Sequence, residues 1–138
     1  MRRLLLGACV LGVVSGHVPA LAQQGGYAGE YIGQGEGELT ARLRRLAGDR
    51  YQVDLTTTDA GRCAGGVGGE AVLSSDGRGV LRTENQAYDP NARTAWLRER
   101  YCTVSIGIDG RRMRIAEGDG CLGFHGAACG FTGELQRR

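Results

Sequence analysis

Hydrophobic and polar residues alternate with a period of two along much of the chain, which is the pattern of a β-strand that buries one face. The strongest alternation runs over 51–58. A second run covers 102–108 and resumes at 113–115, beyond the dipeptide Asp109-Gly110. Because this dipeptide favours a two-residue turn of type I′, the sequence predicts a β-hairpin there.

Another hairpin is predicted over about 38 to 58, although its first half is ambiguous. Leu39, Leu43 and Leu46 fit a helical stripe as well as an alternating strand. The turn signal Gly48-Asp49 and the strand after it favour the hairpin. The other candidates are the turn Asp76-Gly77 with 71–73 before it and 80–83 after it, and 27–32 and 131–135 as the first and last strands.

Residues 84–100 interrupt the alternation. Asp89-Pro90 suits the N-cap and first position of a short helix near 90–98, and a long polar loop is an equally good interpretation. Trp96, the single tryptophan, is expected to anchor the core and cover one end of the fold. Together the strands and turns predict an all-β fold, a small antiparallel β-barrel or sandwich of about 7–8 short strands.

Residues 1–22 have the features of a secretory signal peptide, which leaves 23–138 as a single exported domain. A short basic segment and an apolar run precede an A-x-A pattern that ends at Ala22. The apolar run is shorter than the roughly 20 residues of a membrane span, so no stable span is expected. Lipidation at Cys9 is an alternative, but few residues precede it. The expected location is the periplasm or the cell exterior.

The charge balance gives no reason to expect a nucleic-acid partner. The full chain has 17 basic and 15 acidic side chains. Cleavage after Ala22 would remove Arg2 and Arg3, and 17 minus 2 leaves 15 basic against 15 acidic side chains. The uncompensated basic patch that recognises phosphates is therefore not expected.

Four cysteines remain after this cleavage, namely Cys63, Cys102, Cys121 and Cys129. An even number in a small exported chain is typical of two disulfides. Three pairings are possible, and we favour Cys63 with Cys102 and Cys121 with Cys129. A zinc site is the alternative, but the chain has no C-x-x-C pair, so no metal is expected.

His125 is the one histidine of the predicted mature chain. No second histidine or free cysteine accompanies it to complete a metal site, and the sequence has no nucleophile elbow. The sequence therefore predicts a protein that is not an enzyme and has no cofactor. His125 is expected either to hydrogen-bond the backbone of its own loop or to be displayed to a partner.

Two other segments have both a functional and a structural interpretation. The glycine-rich run 61–70 lacks the G-K-[ST] end of a phosphate loop, so we interpret it as a tight, bulged connection beside a cysteine. Glu36 and Glu38 belong to an acidic cluster. That cluster is either a solvated rim or a surface complementary to a cationic protein partner.

The cysteines and His125 belong to a wider pattern: Cys63-Ala-Gly, Cys102-x-Val-x-Ile and Glu117-x-x-x-Cys121-x-x-x-His125-Gly-Ala-x-Cys129-Gly-Phe131-x-Gly133. It resembles a group of small exported bacterial proteins that inhibit C-type lysozyme in the periplasm, over roughly 29–138. The resemblance implies a β-rich, barrel-like domain that plugs the substrate cleft of the enzyme with a loop.

The candidate partner-binding residues are His125, Arg62, Glu36 and Glu38. Lysozyme is cationic around a cleft that holds two carboxyl groups. An acidic rim would steer the enzyme, and a donor such as His125 or Arg62 would bond its carboxyls. The competing hypothesis is a non-catalytic structural or binding module of the envelope without an enzyme target. An exposed His125 ring would favour the inhibitor, and a buried ring bonded to backbone would favour the module.

Overall fold

The computed structural model describes residues 26–138. That part of the chain contains eight strands and two one-turn helices: β1 Gly29–Gly35, β2 Glu38–Ala47, β3 Arg50–Asp59, β4 Cys63–Val72, β5 Arg78–Glu84, α1 Ala95–Arg98, β6 Tyr101–Asp109, β7 Arg112–Glu117, α2 Leu122–His125 and β8 Gly133–Arg137. The predicted signal peptide, 1–22, and the alternative lipidation site, Cys9, lie outside the described residues.

The strands form one antiparallel sheet in the order β4-β3-β2-β1-β8-β7-β6-β5. The sheet curls into a nearly closed barrel, in which β4 meets β5 through one isolated bridge between Leu73 and Gly79. The predicted all-β antiparallel fold is confirmed, and it is a barrel. We call the incompletely paired junction of β4 and β5 the seam.

Because neighbouring strands are antiparallel, the connections between them lie at alternate ends of the barrel. The end that we call the capped end carries both helices and the connections 36–37, 60–62, 85–100 and 118–132. The opposite end carries the connections 48–49, 73–77 and 110–111.

Alternate residues of the strands fill the barrel interior. Along β3, Tyr51, Val53, Leu55 and Thr57 are buried, and the residues between them are wholly or partly exposed. Each apolar side chain that faces inward is removed from water, which is worth roughly 25 cal/mol per Å² of apolar area. This burial selects the face of each strand that points to the core.

The predicted hairpin over 38–58 is confirmed. β2 and β3 pair in register from Glu38–Thr58 to Arg44–Gln52, with an irregularity near the turn. A strand places Leu39 and Leu43 on the same inward face, and both are buried. Leu39 and Leu43, which also fitted a helical stripe, are therefore buried as residues of a strand.

The predicted hairpin of β6 and β7 is confirmed as well, but its turn is not of type I′. The two residues between the strands are Gly110 and Arg111. A type I′ turn needs positive φ at both central residues. Within 26–138 only glycines have positive φ, and Gly110 has a φ of 57°.

The glycine-rich run 61–70 was predicted to be a bulged connection, but most of it belongs to strand β4. Glycine is needed because the neighbours of this strand leave no room for side chains. A Cβ on Gly65 would lie 2.5 Å from His125 Cα, and one on Gly69 would lie 2.9 Å from Thr83 Oγ1. Strand β4 thus allows α2 and β5 to approach it directly along the seam.

The segment between β5 and β6 contains the short helix α1, but this helix begins at Ala95 and not at Asp89-Pro90. Asp89 forms a local turn, in which its Oδ1 accepts a hydrogen bond from the Asn91 N–H at 2.9 Å. Aspartate commonly caps its own backbone in this way, which competes with starting a helix. No helix within 26–138 has the length and apolarity to cross a membrane.

Buried Asn85 organises the same segment. Its Nδ2 donates to the carbonyl oxygens of Trp96 and Glu99, each at 3.0 Å. Trp96, expected in the core, is only half-buried. The buried amide of Asn85 therefore holds this segment at the capped end.

Two disulfides form, but their pairing is Cys63 with Cys129 and Cys102 with Cys121. The Cα–Cα distances are 6.0 Å and 4.4 Å. Our favoured pairing was wrong because Cys63 lies at the start of β4 and Cys102 near the start of β6, and β5 separates these two strands where the barrel closes. Paired cysteines fit an oxidising compartment.

At the opposite end, Tyr31 and Arg137 hold the chain that leads into β1. Tyr31 Oη donates to Tyr27 O at 2.9 Å, and Arg137 Nη2 donates to Ala28 O at 2.8 Å. Burial raises the pKa of Tyr31, and the nearby Arg137 guanidinium opposes this rise.

Candidate functional site

Residues 118–132, which include α2, pack against β4 at the capped end, and we call this segment the C-terminal corner. Its helix follows Cys121 and ends where Gly126 adopts a φ of 74°. The Phe124 carbonyl and the His125 backbone lie over Gly65 of β4. The corner therefore covers β4 at the capped end of the barrel.

His125 lies inside this corner. The residue is only 8% exposed, so its ring is not displayed on the surface. Its Nδ1 lies against the carbonyl oxygen of Gly126, and a carbonyl can only accept, so Nδ1 carries the proton in this contact. The ring also packs edge-on against Phe131, with ring centroids 5.0 Å apart. The ring is therefore buried and bonded to backbone, and it does not lie exposed on a protruding loop.

Two carboxylates fasten the end of the corner. Glu117 Oε2 accepts a hydrogen bond from the Phe131 N–H at 2.6 Å and lies 3.2 Å from His125 Nε2. The contact with Nε2 is one of proximity only, because Nε2 makes no hydrogen bond within 26–138. Glu36 Oε2 accepts from the Gly130 N–H at 2.8 Å. Both carboxylates are therefore engaged in holding backbone.

No nucleophilic side chain contacts the ring of His125 within residues 26–138. A hydrolase would need a nucleophile beside His125. Among the described residues, the polar groups that contact its ring are Glu117 and the Gly126 carbonyl. In the same part of the chain, no three His, Cys, Asp or Glu side chains cluster as metal ligands do.

The other predicted site residues do not converge on His125. Arg62 lies in the turn between β3 and β4 and pairs with Asp59, whose hydrogen bond raises the pKa of Arg62. Glu38 is exposed at the start of β2. Within the described part of the chain, neither Arg62 nor Glu38 makes a hydrogen bond or ion pair to the C-terminal corner. Glu36 is the only one of these three that does.

A concavity of about 1000 Å³ lies on the outer face of β5, β6, β7 and β8, and we call it the concave face. Its floor is made of the small residues Ser105, Gly107 and Ala116. A Cβ on Gly107 would meet no atom within 4 Å, so the space above this glycine is open. The charged residues that line the face are Asp76, Arg78, Asp109, Arg112, Arg114 and Glu134.

Strand register places Gly107 directly between two arginines. Gly107 pairs with Arg78 of β5 on one side and with Arg114 of β7 on the other. Because adjacent strands are about 4.8 Å apart, the two arginine Cα atoms are separated by roughly 10 Å. Sequence reasoning missed this site because its members come from three strands. The one signal available was a pair of small residues, Ser105 and Gly107, at outward positions of a strand.

Acidic side chains hold both arginines. Arg78 Nε lies 3.4 Å from Asp76 Oδ2, and Arg114 Nε donates to Glu134 Oε1 at 2.8 Å. A hydrogen bond from the Ser74 hydroxyl lowers the pKa of Asp76, which therefore keeps its charge. All four paired side chains are more than half exposed, so these ion pairs contribute little stability and can exchange with a ligand.

Comparison of the sequence with known protein families and curated proteins, and of the fold with solved structures, finds no match. The function is therefore argued from the geometry of the site.

Proposed function

We propose that this chain is an exported, non-catalytic binding module of the bacterial envelope and that it contacts its partner through the concave face. The observation that carries the proposal is the open, small-residue floor between charged strands. Side chains of the barrel do not fill this space above Gly107. Binding sites are typically concave surfaces with a few convergent polar groups.

The contacts of the His125 ring support a binding module rather than an enzyme. Its ring is committed to Gly126, Glu117 and Phe131 inside the C-terminal corner. A buried ring that bonds its own backbone orders a loop and has no free face for a substrate. The N-terminal signal pattern and the two disulfides support export to the periplasm or beyond the cell.

Site-specific photo-crosslinking in the organism that encodes the protein tests this proposal. A photoreactive phenylalanine analogue replaces Ser105 on the concave face or, as the matched control, exposed Thr56 on the outer face of β3. We expect an envelope adduct from position 105 and none from position 56. Equal adducts from both positions, or none from position 105, would contradict the concave face as the contact surface.

Lysozyme inhibition is a second candidate, and the exposure of Arg62 is the observation that favours it. Its side chain is 68% exposed in a turn tethered by the disulfide of Cys63. A guanidinium in such a turn could reach carboxyl groups in a cleft. His125 would not take part, since its ring is buried.

Turnover of lysozyme on cell-wall substrate, with the oxidised protein in excess, tests this second candidate. Arg44 is exposed on β2 and serves as the matched control cation. Inhibition that is lost in Arg62→Ala and retained in Arg44→Ala would support this candidate. Absence of inhibition by the folded protein would rule it out for the lysozyme tested.

A further inference from the structure

The concave face has an anion-sized gap at its centre. Gly107 presents no side chain, and the strand register places Arg78 and Arg114 on the strands on either side. Arg114 uses Nε to bond Glu134, and its Nη atoms make no hydrogen bond within the described residues. An oxyanion over Gly107 that displaces Asp76 and Glu134 from these arginines would meet N–H donors from both sides of the floor.

An apolar strip adjoins this gap. Val80 lies on the same face and is 49% exposed. It pairs across the strands with Ser105, two residues before Gly107, and Ser105 pairs with Ala116 on the other side. The bridge between β4 and β5 brings Val72, 56% exposed, opposite Val80. Val80 and Ala116, on either side of Ser105, can cover a small aliphatic side chain next to the anion.

The charge of the lining limits which anion fits. Three arginines line the face, and so do the three acidic residues Asp76, Asp109 and Glu134. These charges sum to zero, so the face has no net positive charge to attract a polyanion, whereas the arginines at the gap suit a single negative charge. A carboxylate matches the gap better than a doubly charged phosphate.

We infer that the concave face binds the free carboxyl end of a peptide with small aliphatic residues, with the carboxylate over Gly107 between Arg78 and Arg114. The apolar side chain beside the carboxylate packs on Val80 and Ala116. This inference rests on the proposed binding function and names the chemistry of its partner.

Amide NMR titration of the oxidised protein with acetyl-Ala-Ala tests the inference, and acetyl-Ala-Ala-amide is the uncharged control. We expect the carboxylate to shift the amide signals of Ser105, Gly107 and Ala116. The amide form should bind about tenfold more weakly, since charge-assisted hydrogen bonds are roughly twice as strong as neutral ones. Equal binding of both forms would overturn the assignment of a carboxylate.

The variant Gly107→Thr fills the gap without a clash, because nothing lies within 4 Å of its Cβ. It should fold as the parent does and lose the titration shifts. Arg114→Gln should also weaken binding, whereas Arg44→Gln on β2 should leave it unchanged. Unchanged binding in Gly107→Thr would overturn the site.

Inorganic phosphate is the third probe. Binding of phosphate as tight as that of the peptide carboxylate would overturn the peptide and indicate a general anion site. A crosslink from position 105 without any peptide binding would leave the proposed function in place and reject this inference alone. Loss of that crosslink together with intact peptide binding would reject the proposed function instead.

Discussion

Individual glycines of β4 set how closely the C-terminal corner and β5 approach this strand. Gly65 lies under the backbone of His125, and Gly69 lies against Thr83. Gly66, between them, faces outward and has only ordinary contacts, the nearest at 3.5 Å. Neighbouring glycines of one strand thus differ in whether a side chain can be tolerated.

Gly65→Ala should destabilise the protein by about 1–3 kcal/mol, because the new methyl group would overlap the backbone of α2. Gly66→Ala is the matched control, and its effect should stay within about 0.5 kcal/mol. Denaturant unfolding with the disulfides intact measures both. Similar losses in the two variants would show that the corner does not rest on Gly65.

The buried hydroxyl of Tyr31 makes the stability of the barrel depend on pH in the alkaline range. Its pKa is raised chiefly by burial, so the folded state favours the neutral phenol. The resulting stability is fully present below about pH 10 and is lost as the pH rises through the higher folded-state pKa. The chain has no lysine, so tyrosines dominate titration in this range.

Tyr31→Phe should cost about 1 kcal/mol at pH 7, since it removes the hydrogen bond to Tyr27 O. Above pH 10 the difference from the parent should shrink, because the parent alone must then expel or accommodate a buried phenolate. Thermal unfolding from pH 7 to 11 measures this. The more exposed Tyr88→Phe serves as control, and a constant gap for Tyr31→Phe would contradict the argument.

At the scale of elements, the C-terminal corner is a plug fastened by four separate anchors. Its disulfides at Cys129 and Cys121 tie it to β4 and β6. Glu117 at the end of β7 holds Phe131, and Glu36 from the β1–β2 turn holds Gly130. Because these anchors come from separate strands, the position of the corner depends on the assembled barrel.

Glu117→Gln should lower stability by about 1–2 kcal/mol, because the neutral amide accepts the Phe131 N–H more weakly than the carboxylate does. Glu38→Gln, an exposed position without such contacts, should change stability by less than about 0.5 kcal/mol. Urea midpoints of the two variants measure the difference. Equal midpoints would mean that the carboxylate does not fasten the corner.

The alternation of residues was enough to predict β2, β3, β6 and β7, because each buries a regular apolar face. It missed most of β4, where glycine leaves no side chains to alternate. The favoured disulfide pairing failed because it depended on which strands are neighbours, a long-range property of the sheet. The burial of His125 depended in the same way on Gly65 and Glu117, which are distant in sequence.

At the scale of the whole molecule, the capped end is fastened and the concave face is open. Both disulfides and both helices lie at the capped end, whereas the concave face consists of strand residues with exposed, exchangeable charges. A rigid barrel that presents such a face can bind a partner without moving. We therefore propose that binding takes place at the concave face and not at the C-terminal corner.

The crosslink from position 105, measured in chains that carry one further substitution, tests this claim most directly. Gly107→Thr alters the concave face, and Ala127→Arg alters an exposed position of the C-terminal corner. The account predicts that Gly107→Thr abolishes the envelope adduct and that Ala127→Arg leaves its yield unchanged. An adduct that survives Gly107→Thr and is lost with Ala127→Arg would contradict it.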